Sequence, residues 1–161
     1  MSNIKNILRQ NPKHSTILES AGKLGSKLNL PTFVVGGYVR DCLMNLQSKD
    51  IDIIVEGDGI DFAHAFAQSL GIKKVIVYEK FGTAFIPHPD VKIEIASTRK
   101  ESYSINSRKP KVVKTNINID LSRRDFTINA IAEDKEGNII DPCNGQQDIN
   151  NKLFRHVSDA F

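Results

Sequence analysis

The chain has 161 residues, a hydrophobic content of 40%, a charged content of 25% and a net charge of +3. This size and composition suit one globular domain with a buried core, and no apolar run approaches the roughly 20 residues that a membrane helix needs. The amino terminus lacks the pattern of a secretory signal, and Cys42 and Cys143 lack metal-ligand spacing. We therefore expect a cytoplasmic protein with reduced cysteines and no membrane partner.

The first half of the chain predicts helices alternating with short strands. Apolar residues at helical spacing predict a helix over 14–28, and a β-branched run predicts a buried strand over 33–35. A helix over 38–46, a strand over 49–55 and a helix over 60–70 are expected next.

The second half begins with three strand-like runs, at 74–78, 83–86 and 91–95. Residues 99–118 are polar and lack periodicity, which predicts a long loop. Helical character resumes over 121–132, and a hairpin signal spans 131–140. This mixture of short strands and helices predicts an α+β or mixed α/β domain.

Positive charge is concentrated in one segment. Between Arg99 and Arg124 there are eight basic and two acidic residues, so this segment carries +6 and the rest of the chain −3. Such a stretch suits a polyanion, but on its own it is more typical of a solvated loop with surplus lysine. The candidate RNA-contacting residues are Arg99, Lys100, Arg108 and Lys109.

A paired glycine follows the first predicted strand. Gly36 and Gly37 allow backbone N–H groups to approach a phosphate closely, and Arg40 is placed to reach the same phosphate. Asp41 is expected to brace this turn. Two glycines after a strand are also typical of a plain tight turn.

Two carboxylates stand at strand spacing in the next strand. Asp50 and Asp52 project to one face because side chains alternate along a strand, and their mutual repulsion favours a site for divalent cations. Glu94 lies on the polar face of the 91–95 strand and can join them if the two strands are neighbours. Each of the three is also typical of a solvent-facing strand residue.

A dense polar patch begins at Asp120. Consecutive arginines cannot share one helical face, so we expect at most one of Arg123 and Arg124 to point at a ligand. Arg124 is the candidate for a triphosphate, with Asp125 orienting its guanidinium or receiving a hydroxyl. The alternative is a helix with ordinary surface salt bridges.

Together these motifs resemble the family of class II tRNA nucleotidyltransferases and bacterial poly(A) polymerases, within the polymerase-β nucleotidyltransferase superfamily. The resemblance is carried by GGYVRD at 36–41, KDIDIIV at 49–55, IEIASTRKESY at 93–103 and DLSRRDFTINAIA at 120–132. It implies an α+β head with a curved mixed sheet backed by helices.

The same resemblance implies roles for individual residues. Asp50, Asp52 and Glu94 are expected to be catalytic and to bind two Mg²⁺ ions. The residues expected to bind the nucleotide are Gly36, Gly37, Arg40, Arg124, Asp125 and Asn129. The basic loop is expected to correspond to the flexible loop of the family.

The implied activity is addition of CMP and AMP, from CTP and ATP, to the 3′ end of tRNA. A poly(A) polymerase of the same family and a non-catalytic RNA-binding module on the same fold remain alternatives. We expect a helical segment over 1–30 that packs on the head, a head over 31–149, and the start of a truncated neck over 150–161.

Overall fold

The structure is a computed structural model that describes residues 11–102 and 111–158. Its helices are α1 (Pro12–Lys27), α2 (Gly37–Leu43), α3 (Gly59–Ser69), α4 (Ile117–Ser122) and α5 (Gly145–Asn150). The first five strands are β1 (Thr32–Val35), β2 (Asp50–Val55), β3 (Ile76–Tyr78), β4 (Thr83–Pro87) and β5 (Lys92–Ser97). The remaining strands are β6 (Arg99–Ser102), β7 (Lys111–Lys114), β8 (Ala132–Asp134) and β9 (Ile139–Ile140). Short 3₁₀ turns occupy Glu79–Phe81 and Thr127–Asn129.

Seven of these strands form one sheet in the order β3-β4-β5-β2-β1-β8-β9, and β6 and β7 form a separate pair. Strands β2 and β5 run parallel, and the other described pairs are antiparallel. The α+β prediction with a mixed sheet backed by helices is therefore confirmed.

The two faces of the sheet differ in what covers them. On one face, inward residues such as Ile53 and Ile95 pack against α1 and α3, where Phe62 and Phe66 are fully buried. On the other face, a smaller cluster that includes Ile54 packs beneath α4. Because residues alternate along a strand, the second face also receives the polar residues of β2 and β5.

Helix α1 is joined to the glycine turn by a buried polar contact. Asn11 caps the helix by accepting a hydrogen bond from the backbone N–H of His14 at 3.4 Å. The Nδ1 atom of His14 lies 3.1 Å from the hydroxyl of Tyr38, the second residue of α2. Both side chains are buried, so this contact fixes α1 against the helix that follows the turn.

The loop predicted over 99–118 is wrong in the part that the structure describes. Strands β6 and β7 pair in antiparallel register from Arg99 and Lys114 to Ser102 and Lys111. The pair is fixed at its base, where the backbone N–H of Thr115 donates to the carbonyl of Thr98 at 3.2 Å. These polar residues form strands through backbone hydrogen bonds, which leave no apolar periodicity in the sequence.

The helix predicted over 121–132 is also wrong. Helix α4 ends at Ser122, and the chain then turns and bends over 123–125 and is extended at Phe126, before the 3₁₀ turn at Thr127–Asn129. Backbone pairing with the C-terminal segment causes this, because the N–H of Thr127 donates to Arg155 and the N–H of Val157 donates to Asp125, at 3.0 and 2.9 Å.

Other predictions agree with the structure. The β8–β9 hairpin, the remaining strands and the first three helices form with shifts of a few residues at their ends. Cys42 and Cys143 are free, as expected. Among the described helices, none is long and apolar enough to cross a membrane.

Candidate active site

The predicted carboxylates come from the two parallel strands at the centre of the sheet. Asp50 is paired in register with Lys92, and Asp52 is paired with Glu94. Asp52 and Glu94 are half-buried, whereas Asp50 is exposed at the beginning of β2. The strand pairing that the sequence required for Glu94 to join the aspartates is therefore present.

Asp52 experiences an environment that disfavours its charge. Burial is the main reason that its pKa rises from 3.8 to about 6, and the nearby charges of Glu94 and Asp50 raise it further. The guanidinium of Arg124 and the ammonium of Lys92 oppose that rise.

The three carboxylates do not form a ready-made metal cage. Across residues 11–102 and 111–158, no three His, Cys, Asp or Glu side chains lie close enough together to hold an ion. Mg²⁺ does not require such a cage, since it commonly keeps several waters and takes one or two protein carboxylates together with substrate phosphates. The adjacent carboxylates of Asp52 and Glu94 therefore fit a Mg²⁺ ion that arrives with a nucleotide.

The glycine turn lies directly beside Asp52. Gly36 has a φ of +70°, which L side chains rarely adopt, and its N–H donates to the carbonyl of Ile131 at 3.1 Å. A Cβ atom at this position would lie 3.4 Å from Nη1 of Arg124 and 3.8 Å from Oδ2 of Asp52. Gly36 thus leaves room for the guanidinium and the carboxylate at the same side of the turn.

A buried carboxylate that sequence reasoning missed holds the arginine pair. Asp120 is fully buried, and its oxygens accept from Nη2 of Arg124 at 3.1 Å and Nη2 of Arg123 at 3.4 Å. It also accepts from the backbone N–H of Arg99 at 2.8 Å. Helical spacing is the signal that could have found it, because Asp120 lies three and four residues before the two arginines.

One expectation about this patch is therefore wrong, and one of the two roles expected for Asp125 is not observed. Arg123 and Arg124 both point toward one site, because the helix ends before them and the one-face restriction of a helix does not apply. The guanidinium of Arg124 is oriented by Asp120 and not by Asp125, whose carboxylate accepts from the N–H of Phe126 at 3.1 Å. The Nε atom of Arg124 is buried and has no hydrogen-bond partner in the described residues.

Arg40 is held away from free solvent by two neighbours. Its Nη1 donates to Oδ1 of Asn129 at 2.7 Å, and its Nε donates to Oδ1 of Asp41 at 3.0 Å. Asp41 therefore braces the turn, as expected. Asn129 lies in the 3₁₀ turn that Thr127 begins, so this contact ties α2 to the segment after the arginines.

A cleft of about 450 Å³ collects most of these groups. Its polar lining comprises Asp52, Thr83, Glu94, Arg99, Arg123, Arg124 and Asp125. Asp50, Arg40 and Asn129 are not part of that lining. Of the predicted RNA-contacting residues, Arg99 lines the cleft and Lys100 lies in β6, whereas Arg108 and Lys109 are outside the described residues.

The mixed sheet carries paired carboxylates on β2 and β5 beside a glycine turn, and this arrangement defines an α+β nucleotidyltransferase head of the polymerase-β type. Residues 32–155 match the model of the Poly A polymerase head domain. The chain belongs to this family.

Relatives of known name agree with that assignment. The A-adding tRNA nucleotidyltransferase of Geobacter sulfurreducens is 42% identical over 144 residues, covering 86% of this chain and 16% of the relative. The CCA-adding enzyme of Oceanobacillus iheyensis is 39% identical over 131 residues, covering 80% of this chain and 31% of the relative. The chain thus spans less than a third of the length of either relative.

Solved structures share the fold. The apo form II of a CCA-adding enzyme superposes with a TM-score of 0.86 at 34% identity, covering 98% of this chain and 38% of that one. A CCA-adding enzyme in complex with CTP superposes with a TM-score of 0.81 at 34% identity, covering 98% of this chain and 37% of that one. A tRNA nucleotidyltransferase with a primer tRNA and an incoming ATP analog gives 0.74 at 33% identity, with 86% and 39% covered.

Proposed function

We propose that this chain is the catalytic head of a cytoplasmic, Mg²⁺-dependent nucleotidyltransferase that adds CMP and AMP, from CTP and ATP, to the 3′ end of tRNA. The observation that carries the proposal is the paired position of Asp52 and Glu94 in a cleft that also contains Arg124. Carboxylates and guanidinium groups that line one cleft suit a nucleoside triphosphate with its cation.

In this proposal Asp52 and Glu94 are ligands of the cation, and Asp50 joins them from the exposed end of β2. The raised pKa of Asp52 supports the assignment, because a nearby positive charge would relieve the cost of its ionised form. A Mg²⁺ ion held there would polarise the reacting phosphate and offset the negative charge that develops during transfer.

The phosphates are assigned to the turn and the arginines. Gly36 and Gly37 allow a close approach to the backbone, and Arg124 offers a buried Nε–H that has no acceptor among the described residues. Arg40, fixed by Asp41 and Asn129, supports the turn and adds positive charge beside it. Asp125 lines the same cleft and is assigned to the sugar of the nucleotide.

The reaction follows from this placement. The 3′ hydroxyl of the RNA attacks the α-phosphorus, so a new P–O bond forms as the bond to the β-phosphate oxygen breaks and pyrophosphate leaves. Fixed arginines stabilise the charge on the leaving pyrophosphate without reorganising during the reaction.

We also propose how the chain is divided. Residues 31–149 form the head, the segment 1–30 packs on it through the described part that contains α1, and residues 150–161 begin a neck; residues 1–10 and 159–161 of these two segments lie outside the described residues. The contact between His14 and Tyr38 supports the packing of the first segment on the head.

A second candidate, addition of AMP alone, is favoured by the 42% identity to an A-adding enzyme. The test is a transfer assay of the complete protein on three tRNA substrates, which lack the whole terminal CCA, the terminal CA or only the terminal A. CTP and ATP are supplied separately. Incorporation of both nucleotides is expected, and incorporation of AMP alone would replace CCA addition with A addition. Extension into a long A tract would indicate a poly(A) polymerase.

The catalytic assignment has its own test. Asp52→Asn combined with Glu94→Gln is expected to reduce transfer at least about a thousandfold, because the cation would lose both of its buried ligands. The matched control is Glu19→Gln with Glu136→Gln, which removes two carboxylates away from the cleft. Transfer that survives the first pair of changes would disprove the proposed centre.

A further inference from the structure

The face of the sheet that carries the carboxylates continues into an aromatic surface at the edge of the sheet. Phe85 on β4 is paired in register with Glu94 on β5, and Thr83 is paired with Tyr78 on β3. Since paired residues project to the same face, Tyr78 and Phe85 lie on the face of Asp52 and Glu94. The rings of Tyr78 and Phe85 meet edge to face with centroids 5.6 Å apart.

This aromatic surface, defined by Tyr78, Phe81 and Phe85, is open to solvent. Tyr78 is 48% exposed and Phe81 is 53% exposed, while Phe85 is half-buried. Large aromatic side chains this exposed are uncommon on a surface that has no partner. Its strands β4 and β3 lie two and three strands from β2, so the surface borders the proposed reaction site without being part of the cleft.

Lysines accompany the rings. The Nζ atom of Lys92 lies 4.9 Å from the centroid of Phe85, and Nζ of Lys80 lies 5.9 Å from the centroid of Phe81. Lys49, immediately before Asp50, is exposed as well. The acidic neighbours are Glu79, which precedes Lys80, and Glu94, which is paired with Phe85. The combination of exposed aromatic side chains and ammonium groups matches the chemistry of single-stranded RNA, which offers bases for stacking and phosphates for ion pairing.

We propose that the aromatic surface binds the single-stranded 3′ end of the RNA and leads it to the carboxylates. Bases stack on Tyr78 and Phe85, and Lys80 and Lys92 contact the phosphates. Stacking tolerates any base, so this surface holds the RNA without selecting its sequence. The inference rests on the proposed function for the identity of the RNA, and it assigns the path by which that RNA reaches Asp52.

A second copy of this chain is the competing occupant, since β3 is the edge strand of the sheet. The surroundings of β3 disfavour that occupant. The strand has only three residues, and Lys73, Lys74 and Lys80 stand on either side of it. Short edge strands flanked by lysine oppose pairing with another strand. The same lysines favour a polyanion.

The experiment measures binding of a fluorescent eight-nucleotide single-stranded RNA ending in CC, without nucleotide or Mg²⁺. Tyr78→Leu with Phe85→Leu is expected to raise the Kd at least tenfold, because each lost stack weakens binding severalfold or more. Tyr78→Phe keeps the ring and is expected to change the Kd less than twofold. Phe154→Leu removes a ring that is 69% exposed elsewhere and serves as the matched control.

A second measurement places the RNA directly. With 4-thiouridine as the terminal nucleotide, ultraviolet crosslinking and mass spectrometry are expected to identify peptides that contain Tyr78 or Phe85. An unchanged Kd for the double variant, crosslinks confined to other segments, or absence of RNA binding by the unaltered chain would overturn the inference. A concentration-dependent dimer that Tyr78→Leu abolishes would overturn it in favour of self-association.

These outcomes are separate from the test of the proposed function. Binding without nucleotide requires no catalysis, so the aromatic surface can prove to bind RNA even if transfer by Asp52 and Glu94 fails. The converse outcome is also distinguishable. If transfer depends on Asp52 and Glu94 but Tyr78→Leu with Phe85→Leu leaves the KM for RNA unchanged, the proposed function stands and the proposed RNA path is disproved.

Discussion

Asp120 Oδ1 accepts a hydrogen bond from Nη2 of Arg124 at 3.1 Å, although the Asp120 side chain is completely buried. Removing one member of a buried ion pair leaves the other charge without compensation, which costs about 3–5 kcal/mol. We expect Asp120→Ala to lower the free energy of unfolding by about 3 kcal/mol, measured by urea denaturation. The affinity for ATP should fall as well, because Arg124 loses its orienting partner.

The control for this prediction is Asp125→Ala. Asp125 is exposed, and among the described contacts its carboxylate accepts only from the adjacent N–H of Phe126. Its loss should change stability by no more than about 0.5–1 kcal/mol. Equal destabilisation by the two substitutions would show that Asp120 does not anchor the arginine pair.

The raised pKa of Asp52 predicts a stability that depends on pH. In the unfolded chain this group ionises near 3.8, and in the folded chain near 6, so the unfolded state releases its proton first as the pH rises. The free energy of unfolding therefore falls between about pH 4 and pH 6. Above pH 6 the ionised Asp52 lowers it by the full amount, about 2–3 kcal/mol. Below the unfolded value the cost disappears.

Asp52→Asn removes this cost. In EDTA, urea denaturation should show the variant to be more stable than the unaltered chain at pH 7.5 and equal to it below pH 4. Asp50→Asn removes one of the charges that raise the pKa of Asp52, so it should weaken the pH dependence without abolishing it. A difference for Asp52→Asn that stayed constant across this range would contradict the explanation.

Added Mg²⁺ should stabilise the folded chain. A ligand that binds only the native state raises stability with its concentration, by about 1 kcal/mol at several times its Kd. We expect millimolar Mg²⁺ with ATP to raise the thermal midpoint of the unaltered chain and to leave that of Asp52→Asn with Glu94→Gln unchanged. The pair Glu19→Gln with Glu136→Gln should respond like the unaltered chain. An equal response from every variant would place the cation elsewhere.

Gly36→Ala tests the space beside the arginine. The substitution strains a backbone with φ +70° and places a Cβ atom 3.4 Å from Nη1 of Arg124. Gly71 has a comparable φ of +73°, with no atom within 4 Å of an added Cβ. Both substitutions should cost about 1 kcal/mol or more in unfolding free energy.

Only Gly36→Ala should weaken ATP binding, measured by fluorescence titration with a labelled analogue. Gly71→Ala reports the strain alone. If both variants kept full affinity for ATP, Gly36 would be a turn residue without a part in nucleotide binding.

Much of the fold could be predicted because the buried face of a helix or strand produces a periodic hydrophobic pattern in the sequence. Ile93 and Ile95 alternate with Lys92 and Glu94, and this alternation correctly assigned Glu94 to the polar face of its strand. The parallel pairing that places Glu94 beside Asp52 could not be predicted. It depends on how the chain crosses over through α3 and returns through β4.

The predictions for two segments were wrong because backbone pairing, and not burial, fixes the conformation of these segments. Strand β6 is polar, so its ladder with β7 has no counterpart in the hydrophobic pattern. Asp125 and Thr127 exchange backbone hydrogen bonds with Val157 and Arg155, and this long-range pairing overrides a local pattern that favours helix. The role of Asp120 depends on the same break in the helix.

The parallel pairing of β2 with β5 has a consequence for folding. Asp52 and Glu94 become neighbours only after α3, β3 and β4, which lie between them in the chain, have closed a long loop. Contacts that close long loops form slowly, because the chain loses entropy before they can stabilise it. Partly folded chains therefore lack the paired carboxylates, so the proposed cation site forms only when this head reaches its native topology.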